Sequence, residues 1–203
     1  MTKLNQSLGD IVQVALEGLN NASYEEYVYL KGLETRDIYI NDGIDTALIT
    51  RIVHNIFRWN AEDDAKGRDG TEQPITIHIT SEGGCVITMW SIINAIQSSK
   101  TKVVGKAYGM AASAGAYILI ACHERYTQKD ATILLHAGSL SLSGDANAAK
   151  QTMKHYGEYD KRVRDLVLER TNISLQLYNR KSKDEWYEHG DKCVELGIVE
   201  GLI

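Results

Sequence analysis

Strand-like and helix-like patterns alternate along most of the chain. Ile75-Thr-Ile-His-Ile79 alternates between apolar and polar residues, which is typical of a strand, and after the turn Thr80–Gly84 a helical pattern covers residues 86–98. Residues 101–105 predict a second strand. A strand, a helix and a second strand joined in this way form a βαβ unit, in which the two strands run parallel. The pattern therefore predicts an α/β fold with a mostly parallel sheet.

Further patterns lie on either side of this unit. Residues 36–41 predict a short strand, and the apolar positions of residues 44–57 predict one face of a helix, which a solvated loop over residues 60–73 follows. Residues 131–136 are apolar on both faces of a predicted strand, which indicates a central and buried position in the sheet. A short amphipathic helix is predicted over Leu8–Leu19.

The longest helical pattern runs over residues 145–171. At about 1.5 Å per residue such a helix is about 40 Å long, which is more than the core of one domain of this size covers. Part of it is expected to project, and it carries an apolar stripe that includes Met153 and Tyr156. The stripe predicts either a contact with another copy of the chain or packing back onto the sheet.

Composition and charge narrow the classes of function. The chain has 203 residues, 43% of them hydrophobic, and no linker rich in Pro, Gly or Ser, so we expect a single domain over residues 1–203. The net charge of −5 is spread along the chain without a basic run, so no nucleic-acid partner is expected. No run of about 18 apolar residues and no signal peptide is evident, which predicts a cytoplasmic protein without a membrane span.

The three cysteines do not indicate a metal site. Cys85, Cys122 and Cys193 are far apart and lack the spacing of metal-binding Cys and His motifs. Two of them lie in apolar surroundings, so we expect buried free thiols rather than metal ligands or disulfides. We expect neither a metal nor a cofactor.

The first candidate for a catalytic residue is Ser113, which carries the one hydroxyl in the small-residue stretch Gly109-Met-Ala-Ala-Ser-Ala-Gly-Ala116. Small neighbours allow a substrate to approach, and the unpaired N–H groups at the start of a helix favour an oxyanion. Ser113 is therefore a candidate nucleophile, although a packed helix with serine as a small filler would give the same pattern.

Two further residues complete a candidate catalytic set. His136 ends a strand at the edge of the sheet where Ser113 is expected, and a serine within hydrogen-bond reach of a histidine is the minimum pair for nucleophilic catalysis. A histidine at the end of a strand can also be purely structural. Asp184 precedes aromatic residues, where a carboxylate marks either a solvated turn or the group that orients a catalytic histidine.

Together these motifs resemble the Clp protease proteolytic subunit family and its phage-encoded relatives over residues 37–203. Ile79-Thr-Ser-Glu-Gly-Gly84 corresponds to the family pattern I-N-S-P-G-G, and Gly109-Met-Ala-Ala-Ser-Ala-Gly-Ala116 corresponds to G-x-A-A-S-M-G-A. Leu134-Leu-His136 corresponds to M-I-H, and Asp184-Glu-Trp-Tyr187 corresponds to D-R-x-F/W. Glu82 stands where the family has proline, and Ala137-Gly138 stand where the family has Gln-Pro.

The resemblance implies a fold and a set of residue roles. The fold is the ββα spiral that Clp proteases share with crotonases, a mostly parallel sheet with a long projecting helix called the handle. Ser113 is implied as nucleophile, His136 as general base and acid, and Asp184 as the orienting carboxylate. The backbone N–H groups of Gly84 and Ala114 are implied as the oxyanion hole.

The resemblance also implies an assembly and a partner. Heptameric rings would stack into a tetradecamer through the handle helix over residues 145–171, and an AAA+ unfoldase that uses ATP would feed unfolded polypeptides into the enclosed chamber. The residues before position 36 do not clearly match the family, and we assign them no role.

Three alternatives stay open. Crotonases share a similar turn but use paired carboxylates on acyl-CoA, and His136 at the end of a buried strand favours a protease. Signal peptide peptidases share a similar serine turn but use a lysine base, which is absent from the matching strand. The third alternative is a catalytically inactive ring subunit that serves as a scaffold.

Overall fold

The structure is a computed structural model, and it describes residues 23–138 and 145–203. The chain divides into two compact units, Met1–Asp37 and Ile38–Ile203. The prediction of one domain over the whole chain stays a prediction. The helix predicted over Leu8–Leu19 lies outside the described residues.

In the first unit, helix α1 (Tyr24–Thr35) was not expected from the hydrophobic pattern. The Ser23 hydroxyl accepts a hydrogen bond from the N–H of Glu26, and the Glu26 carboxylate accepts one from the N–H of Ser23. This reciprocal pair satisfies two N–H groups that would otherwise lack acceptors at the start of the helix. The Ser-x-x-Glu spacing was therefore the signal for this helix.

The described residues contain seven strands in one sheet, of which β1, β2, β3, β4 and β7 lie side by side in that order. In chain order the strands are β1 (Asp37–Ile40), β2 (Ile75–Ser81), β3 (Val103–Ala112), β4 (Glu124–Thr127), β5 (Thr132–Leu135), β6 (Trp186–His189) and β7 (Gly201–Leu202). The pairs β2–β3, β3–β4, β3–β5 and β4–β7 are parallel, and β5–β6 is antiparallel. The predicted α/β fold with a mostly parallel sheet is confirmed.

The described residues of the second unit contain six α-helices. They are α2 (Asn55–Lys66), α3 (Val86–Ser98), α4 (Ala114–Ala121), α5 (Ala146–Arg170), α6 (Leu175–Lys181) and α7 (Gly190–Glu195), and a π-helical turn (Ile49–His54) runs into α2. Among the described residues, no helix has both the length and the apolar character that crossing a bilayer requires.

The helix after β1 extends further than the sequence indicates. A solvated loop was expected from residue 60, but α2 continues to Lys66 and ends at Gly67, which has a φ of 66°. Asp63 in its last turn is 3% exposed, and its carboxylate accepts a hydrogen bond of 2.7 Å from the Thr101 hydroxyl. This contact stabilises the last turn of the helix, and it joins residues that are far apart in the sequence.

The core lies between the sheet and α4, in which every residue is buried. A helix buried on all sides needs apolar residues on every face, and the sequence from Ala114 to Ala121 contains only small and apolar residues apart from the hydroxyl of Tyr117. Gly105 of β3 makes close packing possible, because a Cβ atom there would lie 2.8 Å from the Leu119 side chain.

Strand β3 changes its partner halfway along its length. Val104–Ala107 pair with β4, whereas Met110–Ala112 pair with β5. Because β2 occupies the other side of β3, β4 and β5 share one side. The carboxyl ends of β2, β3 and β5 therefore meet at one edge of the sheet, just before Gly83, Ser113 and His136.

Helix α5 is only partly covered by the core of its own unit. Asp145 caps it by accepting hydrogen bonds from the N–H groups of Asn147 and Ala148. Its buried residues, Val163, Leu166 and Val167, all lie in the second half of the helix. The first half carries exposed side chains, so the long helix projects beyond the core as expected.

Candidate active site

Ser113 lies at a sharp turn between β3 and α4, and its backbone is strained. Its φ of 53° and ψ of −121° fall in a region that residues with a side chain rarely occupy, at a typical cost of about 1–3 kcal/mol. Its N–H donates to the Leu134 carbonyl at 2.9 Å, and its carbonyl accepts from the Tyr117 N–H at 3.1 Å. The strand pairing and the helix thus hold the turn in a conformation that leaves the hydroxyl half-buried at the edge of the sheet.

The Gly83-Gly84 turn packs directly against Ser113. A Cβ atom on Gly83, whose φ is 99°, would lie 2.8 Å from both the Ala112 oxygen and the Ser113 Cβ. Ile44 anchors the turn, because its N–H donates to the Gly83 carbonyl and its carbonyl accepts from the Cys85 N–H. Neither hydrogen bond uses the Gly84 N–H. Glu82 is exposed, and the turn forms with glutamate at the position of the family's proline.

Two backbone N–H groups near Ser113 are candidates for binding an oxyanion. Ala114 is the first residue of α4, a position where helix N–H groups have no acceptor within the helix. Gly84 lies in the turn that contacts Ser113, and a Cβ atom there would lie 2.4 Å from the Ile44 oxygen. Both predicted oxyanion residues therefore border the nucleophile turn. Their role in catalysis stays a prediction.

The structure brings Ser113 and His136 together. His136 follows β5, and its Nε2 atom lies 2.8 Å from the Ser113 Oγ atom, which is hydrogen-bond distance. The pairing of Ala112 with Leu134 fixes this arrangement, because Ala112 lies one residue before Ser113 and Leu134 lies two residues before His136. Such a contact can transfer a proton from a serine hydroxyl to an imidazole.

Tyr117 holds the backbone of His136, a contact that the sequence analysis missed. The Tyr117 hydroxyl donates to the His136 carbonyl at 2.6 Å and accepts from the His136 N–H at 3.2 Å. Tyr117 is buried, and burial raises its pKa well above the ordinary value, so the hydroxyl keeps its proton. The sequence does contain a signal for this contact, because Tyr117 carries the one hydroxyl in an otherwise apolar helix, four residues after Ser113.

The Asp184 carboxylate does not contact His136. The Ala137 N–H donates to the Ser182 carbonyl at 2.8 Å, so the segment that carries Asp184 runs beside the segment that carries His136. The Asp184 side chain is exposed, and within the described residues it forms no hydrogen bond with the imidazole. The neighbouring Glu185 accepts a hydrogen bond from the Tyr187 hydroxyl at 2.5 Å.

A cavity of about 90 Å³ opens beside Ser113 and His136. Its walls come from the Gly84 turn, the start of α3, the middle of α5 and Tyr178 of α6. Among residues 23–138 and 145–203, no group of three or more His, Cys, Asp or Glu side chains is arranged to hold a metal ion. The chemistry that this site offers is nucleophilic attack by a hydroxyl next to an imidazole.

Removing the Tyr117 hydroxyl tests its role in positioning His136. In Tyr117→Phe, both backbone groups of His136 lose a buried partner, so we expect the free energy of unfolding to fall by about 1–3 kcal/mol in urea denaturation. We also expect Ser113 to react about 10- to 100-fold more slowly with a fluorophosphonate, because small misplacements of catalytic groups are costly.

The matched control for this experiment is Tyr126→Phe. The Tyr126 hydroxyl donates to Glu124 at 3.4 Å on a strand remote from Ser113. This variant should keep the reaction rate of the unmodified chain. Equal rates for Tyr117→Phe and Tyr126→Phe would contradict a positioning role for Tyr117.

Comparison with protein families adds an independent finding to this geometry. A family model described as Clp protease matches residues 20–203. The match covers all seven strands, the turn that carries Ser113 and the strand that ends before His136. The resemblance that the sequence motifs indicated is confirmed. Because the matched residues make up most of the chain, this protein belongs to the Clp protease family.

Proposed function

We propose that the chain is a serine endopeptidase that hydrolyses peptide bonds of unfolded polypeptides through an acyl-enzyme. The hydrogen bond of 2.8 Å between Ser113 Oγ and His136 Nε2, at the strained turn after β3, is the observation that carries this proposal. Membership of the Clp protease family supports peptidase activity. The same hydrogen bond argues against an inactive scaffold.

In the first half of the reaction, His136 Nε2 accepts the proton of the Ser113 hydroxyl as Oγ attacks the carbonyl carbon of the peptide bond. The carbonyl oxygen becomes an oxyanion, and the N–H groups of Gly84 and Ala114 donate hydrogen bonds to it. Donors of this kind stabilise the transition state by about 2.7–4 kcal/mol each. His136 then gives the proton to the leaving amine, and the acyl group stays on Ser113.

Water completes the cycle in the second half. His136 accepts a proton from a water molecule, whose oxygen attacks the acyl carbon, and the new oxyanion occupies the same two N–H groups. When the bond to Ser113 breaks, His136 returns the proton to Oγ. The carboxylic acid product leaves, and the starting pair is restored.

Asp184 is proposed as the group that orients His136 and stabilises its charged form. Its support is the position of the Ser182–Asp184 segment beside Ala137. The carboxylate is exposed, so a rotation of its side chain meets little packing resistance. In this role Asp184 would contact the imidazole nitrogen that does not face Ser113.

The assembly is proposed to be two stacked heptameric rings that enclose the catalytic sites. The exposed first half of α5 supports a contact between copies, since Met153 there is 60% exposed and the His155 ring is also exposed. Exposed apolar and aromatic groups of this kind are typical of subunit interfaces. A cytoplasmic AAA+ unfoldase that hydrolyses ATP would supply unfolded chains.

Replacing the nucleophile tests the proposed activity. Ser113→Ala should lower kcat/KM for short fluorogenic peptides by about 10⁴-fold or more, since the acyl-enzyme cannot form. It should also abolish the fluorophosphonate adduct and leave the native particle mass unchanged. The control is Ser91→Ala, which removes a hydroxyl on α3 that donates only to the Ile87 carbonyl. An adduct that mass spectrometry locates at another residue, or unchanged peptide turnover in Ser113→Ala, would contradict the proposal. Turnover of acyl-CoA, measured in parallel, would support the crotonase alternative.

The proposed role of Asp184 has its own test. Asp184→Asn should lower kcat for a fluorogenic peptide by about 10²- to 10⁴-fold with little change in KM, because His136 loses its charged partner in the transition state. Glu185→Gln, which changes the adjacent carboxylate, should retain most of kcat. Equal activity of Asp184→Asn and the unchanged chain would leave Ser113 and His136 as a catalytic pair without this carboxylate.

Light scattering of the native particle tests the assembly. We expect a mass of fourteen copies of the 22.6-kDa chain. Met153→Glu should give a single ring of half that mass, because it adds a charge to an apolar contact. Met153→Leu, which keeps the side chain apolar and similar in volume, should retain the full particle. A monomeric mass for the unchanged chain would rule out the ring assembly.

A further inference from the structure

Helix α5 contributes a carboxylate to the wall of the cavity that opens on Ser113. Asp160 lines this cavity of about 90 Å³ together with Met89, Val163 and Tyr178. A Cβ atom on Gly138, two residues after His136, would lie 3.3 Å from Asp160 Oδ1. The absence of a side chain on Gly138 therefore allows the chain after His136 to pass close to the Asp160 carboxylate.

No cation of the described residues neutralises Asp160. Other acidic residues of α5 form ion pairs, Glu158 with Lys161 at 2.8 Å and Asp165 with Arg164 at 2.6 Å. Asp160 forms neither an ion pair nor a hydrogen bond within residues 23–138 and 145–203. Its side chain is exposed to solvent in the single chain, so a ligand can reach it.

The cavity walls beside the carboxylate carry tyrosine hydroxyls and apolar side chains. Burial, followed by the nearby Asp160 charge, raises the pKa of Tyr178 to about 12. Tyr117, whose pKa is raised by burial, also experiences the Asp160 charge. Arg164 lies near enough to lower the pKa of Tyr178, but its guanidinium is bound to Asp165. The Asp165 carboxylate accepts hydrogen bonds from Arg164 Nε at 2.9 Å and from a terminal nitrogen at 2.6 Å. Within residues 23–138 and 145–203, the acidic wall of the cavity thus has no ion-pair partner.

The position of the cavity identifies the part of a peptide that would enter it. A carbonyl carbon attacked by Ser113 has to lie about 3–3.5 Å from Oγ. The side chain of the residue that bears this carbonyl begins at Cβ, two bonds from the carbonyl carbon, and the cavity beside Ser113 is where it can extend. Met89 and Val163 would contact a hydrocarbon stem, while tyrosine rings and a carboxylate favour a positive charge at its end.

We propose that Asp160 makes this cavity a binding site for a basic side chain, so that the enzyme cleaves preferentially after lysine or arginine. The proposal rests on the proposed peptidase function and names its substrate class. Asp160 acts here as a specificity-determining residue. It pairs with the ammonium or guanidinium group of the substrate and takes no part in proton transfer at Ser113.

The test uses fluorogenic peptides that differ only in the residue before the cleaved bond. Lysine and norleucine form the decisive pair, because they share a straight hydrocarbon stem and differ in the ammonium group. The unchanged enzyme should give a kcat/KM for lysine at least about tenfold above that for norleucine. Asp160→Asn should bring the ratio close to one, and Asp160→Lys should favour a glutamate peptide over the lysine peptide.

Glu169→Gln is the matched control. It removes one negative charge from an exposed position near the end of the same helix, and it should keep the preference for lysine. A preference of the unchanged enzyme for norleucine, or an equal ratio in Asp160→Asn and the unchanged enzyme, would overturn the proposal. Native particle mass and circular dichroism would verify that each variant is folded and assembled.

A binding measurement separates this proposal from the proposed activity. If no peptide is cleaved, the peptidase function fails, and the affinity of the lysine and norleucine peptides for Ser113→Ala still decides the role of Asp160. The site is supported if Ser113→Ala binds the lysine peptide about tenfold or more tightly than the norleucine peptide, and if the double variant Ser113→Ala, Asp160→Asn loses this difference. Equal affinities overturn it.

Discussion

The pairing of the second half of β3 with β5 is the interaction on which the site depends. Ala112 pairs with Leu134, and the Ser113 N–H donates to the Leu134 carbonyl, so the two strands end side by side. A register shift of one residue would reverse the faces of all side chains that follow, and Ser113 would no longer meet His136. The Tyr117 hydroxyl reinforces this arrangement from the adjacent helix, because it bonds both backbone groups of His136.

Strain at Ser113 and close packing around it occur together. Ser113 adopts a positive φ, and the surrounding structure holds it through β5, α4 and the Gly83 turn. A conformation of this kind persists only where the neighbours over-determine it. The wholly buried α4 supplies that constraint on one side. The glycine turn, which itself is tied to Ile44, supplies it on the other.

Local sequence patterns were sufficient to predict the elements that carry Ser113 and His136. Alternation in β2, the helical period of α3 and the apolar run of β5 were read correctly, because each reflects burial on a face that the sequence itself encodes. The full extent of α2 was missed, since the Asp63–Thr101 hydrogen bond that stabilises its last turn is non-local. Strand β4 was also missed, because four residues with two charged side chains give a weak pattern.

The same distinction applies within the site. That Ser113 and His136 lie at one edge of the sheet follows from their places after parallel strands, whereas the Tyr117 contact depends on how α4 packs against β5. The neighbourhood of Asp184 could be inferred from its motif, but the direction of its exposed side chain could not. A helical period identifies the stripe of α5, yet it does not indicate that Asp160 reaches the cavity beside Ser113.

The complete burial of α4 also determines which member of the Ser113–His136 pair can move. Any displacement of the Ser113 turn has to move a helix without a single exposed residue, which would open the centre of the core. His136, in contrast, is followed by the exposed residues Ala137 and Gly138. Because the Tyr117 hydroxyl holds the His136 backbone, the half-buried imidazole side chain is the part of the Ser113–His136 pair that can rotate without opening the core, and the serine remains a fixed reference point.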